Sequence, residues 1–258
     1  MVSNIIVVDI GNSYIKIAIV NSNLNVLNKL MFKTTEKISK RFISKKLLSL
    51  SENINIDGAI IGSVVSHITN KFFCLIKKIF NVTPFLIDQE NVKVSFKFNL
   101  PNKKTIGQDL LALSEYCSLK NKNAVGFSFG TAIFAILLIE NEFLGASIAP
   151  GIGTSFDEFI NRVHMIDVIN LNKKELTFFG DNTIKALESG VNNIRSGFVN
   201  SFYKQAKLKV ENQTMACIIS GGECHDIISD FDYIIDENAI IIGFANIFFL
   251  NTNKKATN

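Results

Sequence analysis

The stretch Ile5 to Lys16, reading I-I-V-V-D-I-G-N-S-Y-I-K, constrains the fold more than any other part of the chain. Four successive β-branched apolar residues, Ile5, Ile6, Val7 and Val8, read as a strand buried on both faces. Asp9 ends that run, Gly11-Asn12 marks a tight turn able to supply positive φ, and apolar alternation resumes at Ile15, Ile17 and Ile19. The pattern predicts a β-hairpin with a polar tip. A carboxylate, a glycine, an amide, a hydroxyl and an ammonium at one tip suit a nucleotide phosphate tail. Backbone N–H groups, Asn12 and Ser13 can donate to phosphate oxygens, Lys16 adds positive charge, and Asp9 can hold hydrated Mg²⁺. Taken alone, the stretch also reads as an ordinary Asx-type turn with a solvated lysine.

Bulk properties narrow the class. At 258 residues the chain fits one large domain or two of ordinary size, and 47% apolar residues exclude a disordered protein. Mean hydropathy is +0.25, but the longest apolar runs, Ala132–Ile139 and Ala239–Leu250, are shorter than the roughly 20 residues a membrane helix needs. Asp9 interrupts the first apolar run and no basic segment precedes it, so it is not read as a signal peptide, and a cytoplasmic protein without membrane partners is expected. The net charge of +4 comes from scattered lysines, with Arg41, Arg162 and Arg195 the three arginines. That scatter suits anionic small substrates and gives no support for a nucleic-acid surface. Cys74, Cys117, Cys217 and Cys224 form no CxxC pair. Cys217, Cys224 and His225 are close in sequence without an evident fourth ligand, so reduced, mostly buried thiols are expected in place of a zinc site.

Along the chain, Arg41–Leu50 and Thr69–Phe80 carry apolar residues at helical spacing, and Gly58–Val65 and Thr83–Ile87 read as strands. This strand–helix alternation points to an α/β core. After Pro101, Ile106-Gly107-Gln108-Asp109 opens a helix whose first-turn carboxylate, Asp109, is either a simple dipole-favoured residue or a general base aimed into a cleft. The second half echoes the first. Asn123–Phe129 leads into Gly130-Thr131-Ala132, a strand from Ile133 to Ile139, a turn at Asn141-Glu142 and a partner strand Phe143–Ile148. Helices are expected at Thr154–Val163, after the cap Asn182-Thr183, and over Asp236–Leu250, with Asn251–Asn258 a frayed tail. The strand Thr214–Ile219 runs into Ser220-Gly221-Gly222-Glu223, where small residues let a flat ligand approach the backbone as in an adenosine-binding turn.

In their order, these motifs resemble type III pantothenate kinase, a family of the acetate kinase and actin superfamily. The segments are D-I-G-N-S-Y-I-K at 9–16, F-N-L-P and I-G-Q-D within 98–109, F-G-T-A at 129–132, G-A-S-I-A-P-G-I at 145–152, N-T at 182–183, S-G-G at 220–222 and D-E-N-A-I-I-I-G-F at 236–244. The resemblance covers nearly the whole chain. It implies two ribonuclease-H-like (actin-like ATPase) domains, each a mixed sheet flanked by helices, taken as 1–118 and 119–258. It also implies a homodimer with active sites at the subunit interface. The implied reaction moves the ATP γ-phosphate to the 4′-hydroxyl of pantothenate, the first step of coenzyme A synthesis. Asp109 would be the general base. Asp9, Ile10, Gly11, Asn12, Ser13, Tyr14, Ile15 and Lys16, with Thr131, would hold ATP and its Mg²⁺. Phe98, Gly107, Gln108, Asp109 and Leu110, with Thr183, would line the pantothenate pocket.

Three departures from the family pattern stand out. Leu110 occupies the position of an arginine that follows the catalytic aspartate, so a bidentate cationic contact is missing; Lys103 or Lys104 could replace it. Ser128 stands where the family has an aspartate ligand of the activating monovalent cation (K⁺ or NH₄⁺), which puts that cation in question. Ile133, Phe134 and Ile136 replace polar residues. Two expectations follow: a working kinase with a relaxed site, or a catalytically impaired homologue that binds or regulates.

Overall fold

In a computed structural model, the described residues are 3–162, 178–225 and 227–252. In chain order the elements are β1 (Asn4–Ile10), β2 (Tyr14–Asn21), β3 (Val26–Lys33), α1 (Lys40–Leu50), β4 (Gly58–Ser63), α2 (Ser66–Phe80), β5 (Phe85–Leu86) and α3 (Gln108–Lys120). They continue with β6 (Ala124–Phe129), β7 (Ala132–Ile139), β8 (Glu142–Pro150), α4 (Ile152–Arg162), α5 (Thr183–Val210), β9 (Ala216–Gly221), β10 (Ile234–Ile235) and α6 (Ala239–Thr252). The chain divides into two compact units, Met1–Leu119 with Asn238–Asn258, and Lys120–Glu237. Val163, the expected end of α4, and residues 253–258 of the expected tail lie outside the described residues.

The first unit holds a five-stranded sheet in the order β3-β2-β1-β4-β5. The hairpins β1–β2 and β2–β3 are antiparallel, whereas β1–β4 and β4–β5 are parallel and therefore need helical crossovers. Ile6, Val8, Ile10, Ile15, Ile17 and Ile19 cover one face and pack with Ile43 and Leu47 of α1 and Ile68, Phe72 and Ile76 of α2. Burying each of these large side chains contributes about 1.5–3 kcal/mol. The other face is covered in part by α6. Gly58 and Gly62 share one face of β4, and a Cβ at either would strike the ring of Phe248 or Phe244, four apart on one face of α6. This docking separates the structure from the expected domain range of 119–258: the final helix packs in the first unit. It is apolar nearly all round because ten of its fourteen residues are buried.

The second unit repeats the strand order as β8-β7-β6-β9-β10, with β6–β7 and β7–β8 antiparallel and β6–β9 and β9–β10 parallel. Its core joins Phe127 and Phe129 of β6, Ile133 and Ala135 of β7, Ile219 of β9, and Val199 and Ala206 of α5. Two mixed sheets of one topology, each flanked by helices, make the ribonuclease-H-like duplication that the motif order implies.

Two turns differ in detail from the expectations. Gly11 and Asn12 are not among the positive-φ residues. Ile10 pairs with Ile15, so the tip is a four-residue loop, closed by Gly11 N–H donating to Tyr14 O at 3.0 Å, and it needs no left-handed residue. The second return turn falls on Glu140 (φ 50°) and Asn141 (φ 59°), one residue earlier than expected, with the two successive positive φ values of a twist-matched two-residue hairpin. The expected strand Thr83–Ile87 contracts to Phe85–Leu86.

Candidate active site

The first hairpin tip is rigidly tied. Thr34, just past β3, donates through its hydroxyl to Gly11 O at 2.8 Å and through its N–H to Ser13 O at 2.9 Å. Asp9 and Lys16 are directly opposed across the β1–β2 ladder, so their side chains share a face. Asp9 is half-buried, and desolvation lifts its carboxyl from 3.8 to about 6; Lys16 opposes that rise and the nearby charge of Asp109 adds to it. The backbone also ties the start of α3 to this region: Ser63, which pairs with Ile10 in the β1–β4 ladder, donates its N–H to the side chain of Gln108, the residue before Asp109. Ile10 and Ile15 turn their side chains into the core and offer the site only backbone, while Asn12 and Tyr14 are exposed at the tip.

Asp109 sits in the first turn of α3. Its Oδ1 accepts from Leu110 N–H at 2.9 Å, and burial raises its pKa despite that bond. Gly107 permits this conformation, because a Cβ there would lie 2.5 Å from Asp109 Oδ1. Gln108 spends its amide on the scaffold: Oε1 accepts from Ser63 N–H at 2.9 Å and Nε2 donates to Ile87 O at 3.3 Å, fixing the start of α3 against the end of β4. Leu110 is buried, so its position offers an apolar side chain to the core.

Phe98 is buried edge-on to Phe96, with ring centroids 6.0 Å apart. Lys103 Nζ stands 5.5 Å over the Phe98 ring, whereas Lys104 pairs with Glu90 at 3.2 Å. The loop bearing Phe96 and Phe98 is anchored by Glu115, a fully buried carboxylate on α3. It accepts from Ser95 N–H (2.8 Å), Ser95 Oγ (2.6 Å) and Asn246 Nδ2 (2.5 Å). Thr34 and Glu115 were missed from sequence. Thr34 carries no signal of its own, but a glutamate inside the run Leu110–Cys117, where every residue is buried, was a readable anomaly.

Thr131 and Thr183 belong to the second unit and are both exposed. Thr131 O accepts from Gly151 N–H at 2.9 Å and from Thr154 Oγ1 at 3.1 Å. A Cβ at Gly151 would collide with Gly130 O and Thr131 O, so this approach requires glycine. Gly221, at φ 99°, lies against the backbone of Phe129, which brings the Ser220-Gly221-Gly222 turn beside the second hairpin. Thr183 begins α5, whose cap Asn182 accepts from Lys185 N–H at 3.0 Å. Ser128 is buried and opposes Phe134.

Comparisons with known proteins identify a family by sequence and a fold by structure. The sequence profile of type III pantothenate kinase matches residues 5–205. A protein of Malacoplasma penetrans named type III pantothenate kinase is 44% identical over 249 residues, covering 96% of this chain and 97% of that protein. Among solved structures, an activator of 2-hydroxyisocaproyl-CoA dehydratase from Clostridium difficile with bound ADPNP superposes with a TM-score of 0.53 at 11% identity, covering 100% of this chain and 99% of that one. A ROK hexokinase from Thermus thermophilus gives 0.51 at 11% identity, covering 97% and 99%. The latter two share the fold, while profile and relative share the family. The chain belongs to the type III pantothenate kinase family.

Proposed function

We propose that this protein transfers the γ-phosphate of ATP to the 4′-hydroxyl of pantothenate, the first step of coenzyme A biosynthesis, with Asp109 as the base. The observation that carries the reading is the Asp9–Lys16 pair at the end of β1, with the start of α3, which bears Asp109, tied through Gln108 to the end of the neighbouring β4. In the reaction the substrate hydroxyl gives its proton to Asp109 as its oxygen bonds to the γ-phosphorus. The bond from that phosphorus to the bridging oxygen breaks, and ADP leaves. Such a reaction asks a protein for positioning, charge neutralisation and one base. Lys16 and the backbone from Gly11 to Ser13 bind and orient the phosphates, and Thr131 is a further phosphate-binding residue. Phe98, Gly107 and Thr183 shape the pantothenate site, and Gln108 fixes the start of α3.

Mg²⁺ fits this chain. Asp9 is a half-buried carboxylate whose ionisation is held back by burial and by the charge of Asp109 and eased by Lys16, so a divalent ion has a ready partner there. When bound, Mg²⁺ neutralises charge on the transferring phosphates. A monovalent cation does not fit at Ser128. That residue faces Phe134, and its register neighbour Ser220 offers one buried neutral hydroxyl where such an ion needs charge or several oxygens. For the absent arginine, Lys103 is the better substitute because it stands over Phe98, while Lys104 is engaged by Glu90. The impaired-homologue alternative gains nothing, since both carboxylates and Lys16 are retained.

The reading includes a homodimer built on the apolar face of α4 and α5, where Phe159 and Ile194 line a cavity of about 350 Å³ and Phe178 and Phe179 stand exposed nearby. Phe159→Asp with Ile194→Asp should yield monomers in sedimentation. A cytoplasmic location is part of the proposal; no helix among the described residues is long and apolar enough to cross a membrane. The test of function is a coupled ADP-release assay with ATP, Mg²⁺ and pantothenate, with and without K⁺. Pantothenate-dependent turnover that falls about 10²–10⁴-fold in Asp109→Asn is expected. No pantothenate dependence in a folded sample would sink the proposal, and strong K⁺ activation would overturn the cation argument.

A further inference from the structure

Beyond the kinase site, the second unit gathers three metal-ligating side chains. β9 and β10 pair in parallel, so the segments leaving their C-terminal ends run side by side. Cys224 and His225 follow β9 and Glu237 follows β10. One ligand atom from each, the Cys224 sulfur, a His225 ring nitrogen and a Glu237 carboxylate oxygen, all lie within 4.8 Å of one another. His225 Nε2 and Glu237 Oε1 are 3.3 Å apart. Cys224 is buried, whereas His225 and Glu237 expose about half of their side chains (51% and 49%). The thiol therefore forms a floor and the other two groups a mouth open to solvent.

The loop is fixed from α5. Arg195, itself buried, donates from Nη1 to His225 O at 3.3 Å, and Ser196 Oγ accepts from Ile228 N–H at 2.9 Å. A His–Glu ion pair alone would need no thiol beneath it. We propose that Cys224, His225 and Glu237 form a binding site for a divalent transition-metal ion of the zinc class, with water as fourth ligand. One thiolate, one imidazole and one carboxylate select zinc-like ions over Mg²⁺ or Ca²⁺, which take oxygen ligands. Bonds of about 2.0–2.3 Å in a tetrahedron place ligand atoms roughly 3.3–3.8 Å apart, so a small contraction closes the site. The bound ion would fasten the turn after β9 to the segment entering α6. Among the described residues no second group of this kind occurs.

The test is a Co²⁺ titration of the full-length, chelator-stripped protein, reading the near-ultraviolet thiolate-to-cobalt band, followed by displacement with Zn²⁺. One equivalent should saturate the band, and Cys224→Ser should abolish it. Because Cys224 belongs to the core, the exposed variants His225→Ala and Glu237→Gln provide the independent check; each should weaken binding about ten-fold or more. Cys74→Ser, at an exposed thiol, should leave the titration unchanged. No thiolate band, a band that survives both His225→Ala and Glu237→Gln, or one lost with Cys74→Ser would overturn the proposal. Neither ATP nor pantothenate is present, so failure here leaves the kinase reading untouched.

Discussion

The tips of the two hairpins β1–β2 and β6–β7 stand at the same place in sheets of the same strand order, yet they are chemically opposite. Each is closed by a glycine N–H: Gly11 to Tyr14 O at 3.0 Å, and Gly130 to Ala132 O at 3.1 Å across a loop one residue shorter. One rung below the closing pair, the first hairpin opposes Asp9 with Lys16 and the second opposes Ser128 with Phe134. The first pairing holds charge against desolvation, and the second fills space. The scaffold needs only a tight turn after a buried strand, so one copy can abandon its charges while keeping its shape. The duplicated fold thus concentrates its charged chemistry on one tip.

The most forceful way to break this comparison is to neutralise each tip in turn. Asp9→Asn should lower kcat/KM about 10²–10³-fold, the usual loss for one charge-stabilising group, while Ser128→Ala should change it less than about two-fold. Equal losses at both tips would erase the distinction. A smaller effect is expected at Lys103, where the lysine-to-alanine change should raise the pantothenate KM about ten-fold with little effect on the KM for ATP, and Lys104→Ala should do neither. Should the Lys104 change prove the costlier, the replacement for the missing arginine lies elsewhere.

The smallest effect is on stability. The folded chain holds the Asp9 proton more tightly than the ordinary 3.8, up to about 6, so ionisation works against the fold. Stability from this group is greatest below 3.8 and is lost as pH rises through about 6. Discounted for partial exposure, the loss is on the order of 1–2 kcal/mol, and Asp9→Asn should remove that decline in denaturant titrations compared between acid and neutral pH. A parent protein whose stability instead rises across this range would show that Lys16 outweighs burial.

Features set by neighbouring residues were legible in the sequence. The apolar run Ile5–Val8, ended by Asp9 and Gly11 with alternation resuming at Ile15, defined the first hairpin and its polar tip, and Phe129-Gly130 followed by the apolar run Ile133–Ile139 defined the second. Features that depend on distant partners were not. The loop conformation at Gly11 and Asn12 depends on Thr34, and nothing local reports that bond. Lys103 and Lys104 look alike until Phe98 and Glu90 are placed beside them. Cys217, Cys224 and His225 showed no fourth ligand in the sequence; Glu237 joins Cys224 and His225 only through the parallel pairing of β9 and β10, and Cys217 is not in that group. The docking of α6 escaped notice for the same reason: Gly58 and Gly62 read as small strand residues, and their missing side chains make sense only against Phe244 and Phe248.

That docking bears on how the molecule is made. Growing from the ribosome, the chain emits its first sheet early, but the helix that covers one face of that sheet emerges only after the whole second unit. Until then, the small side of β4 stands bare, so the nascent first unit must wait, and a chain cut short before Ala239 would expose an apolar surface prone to self-association.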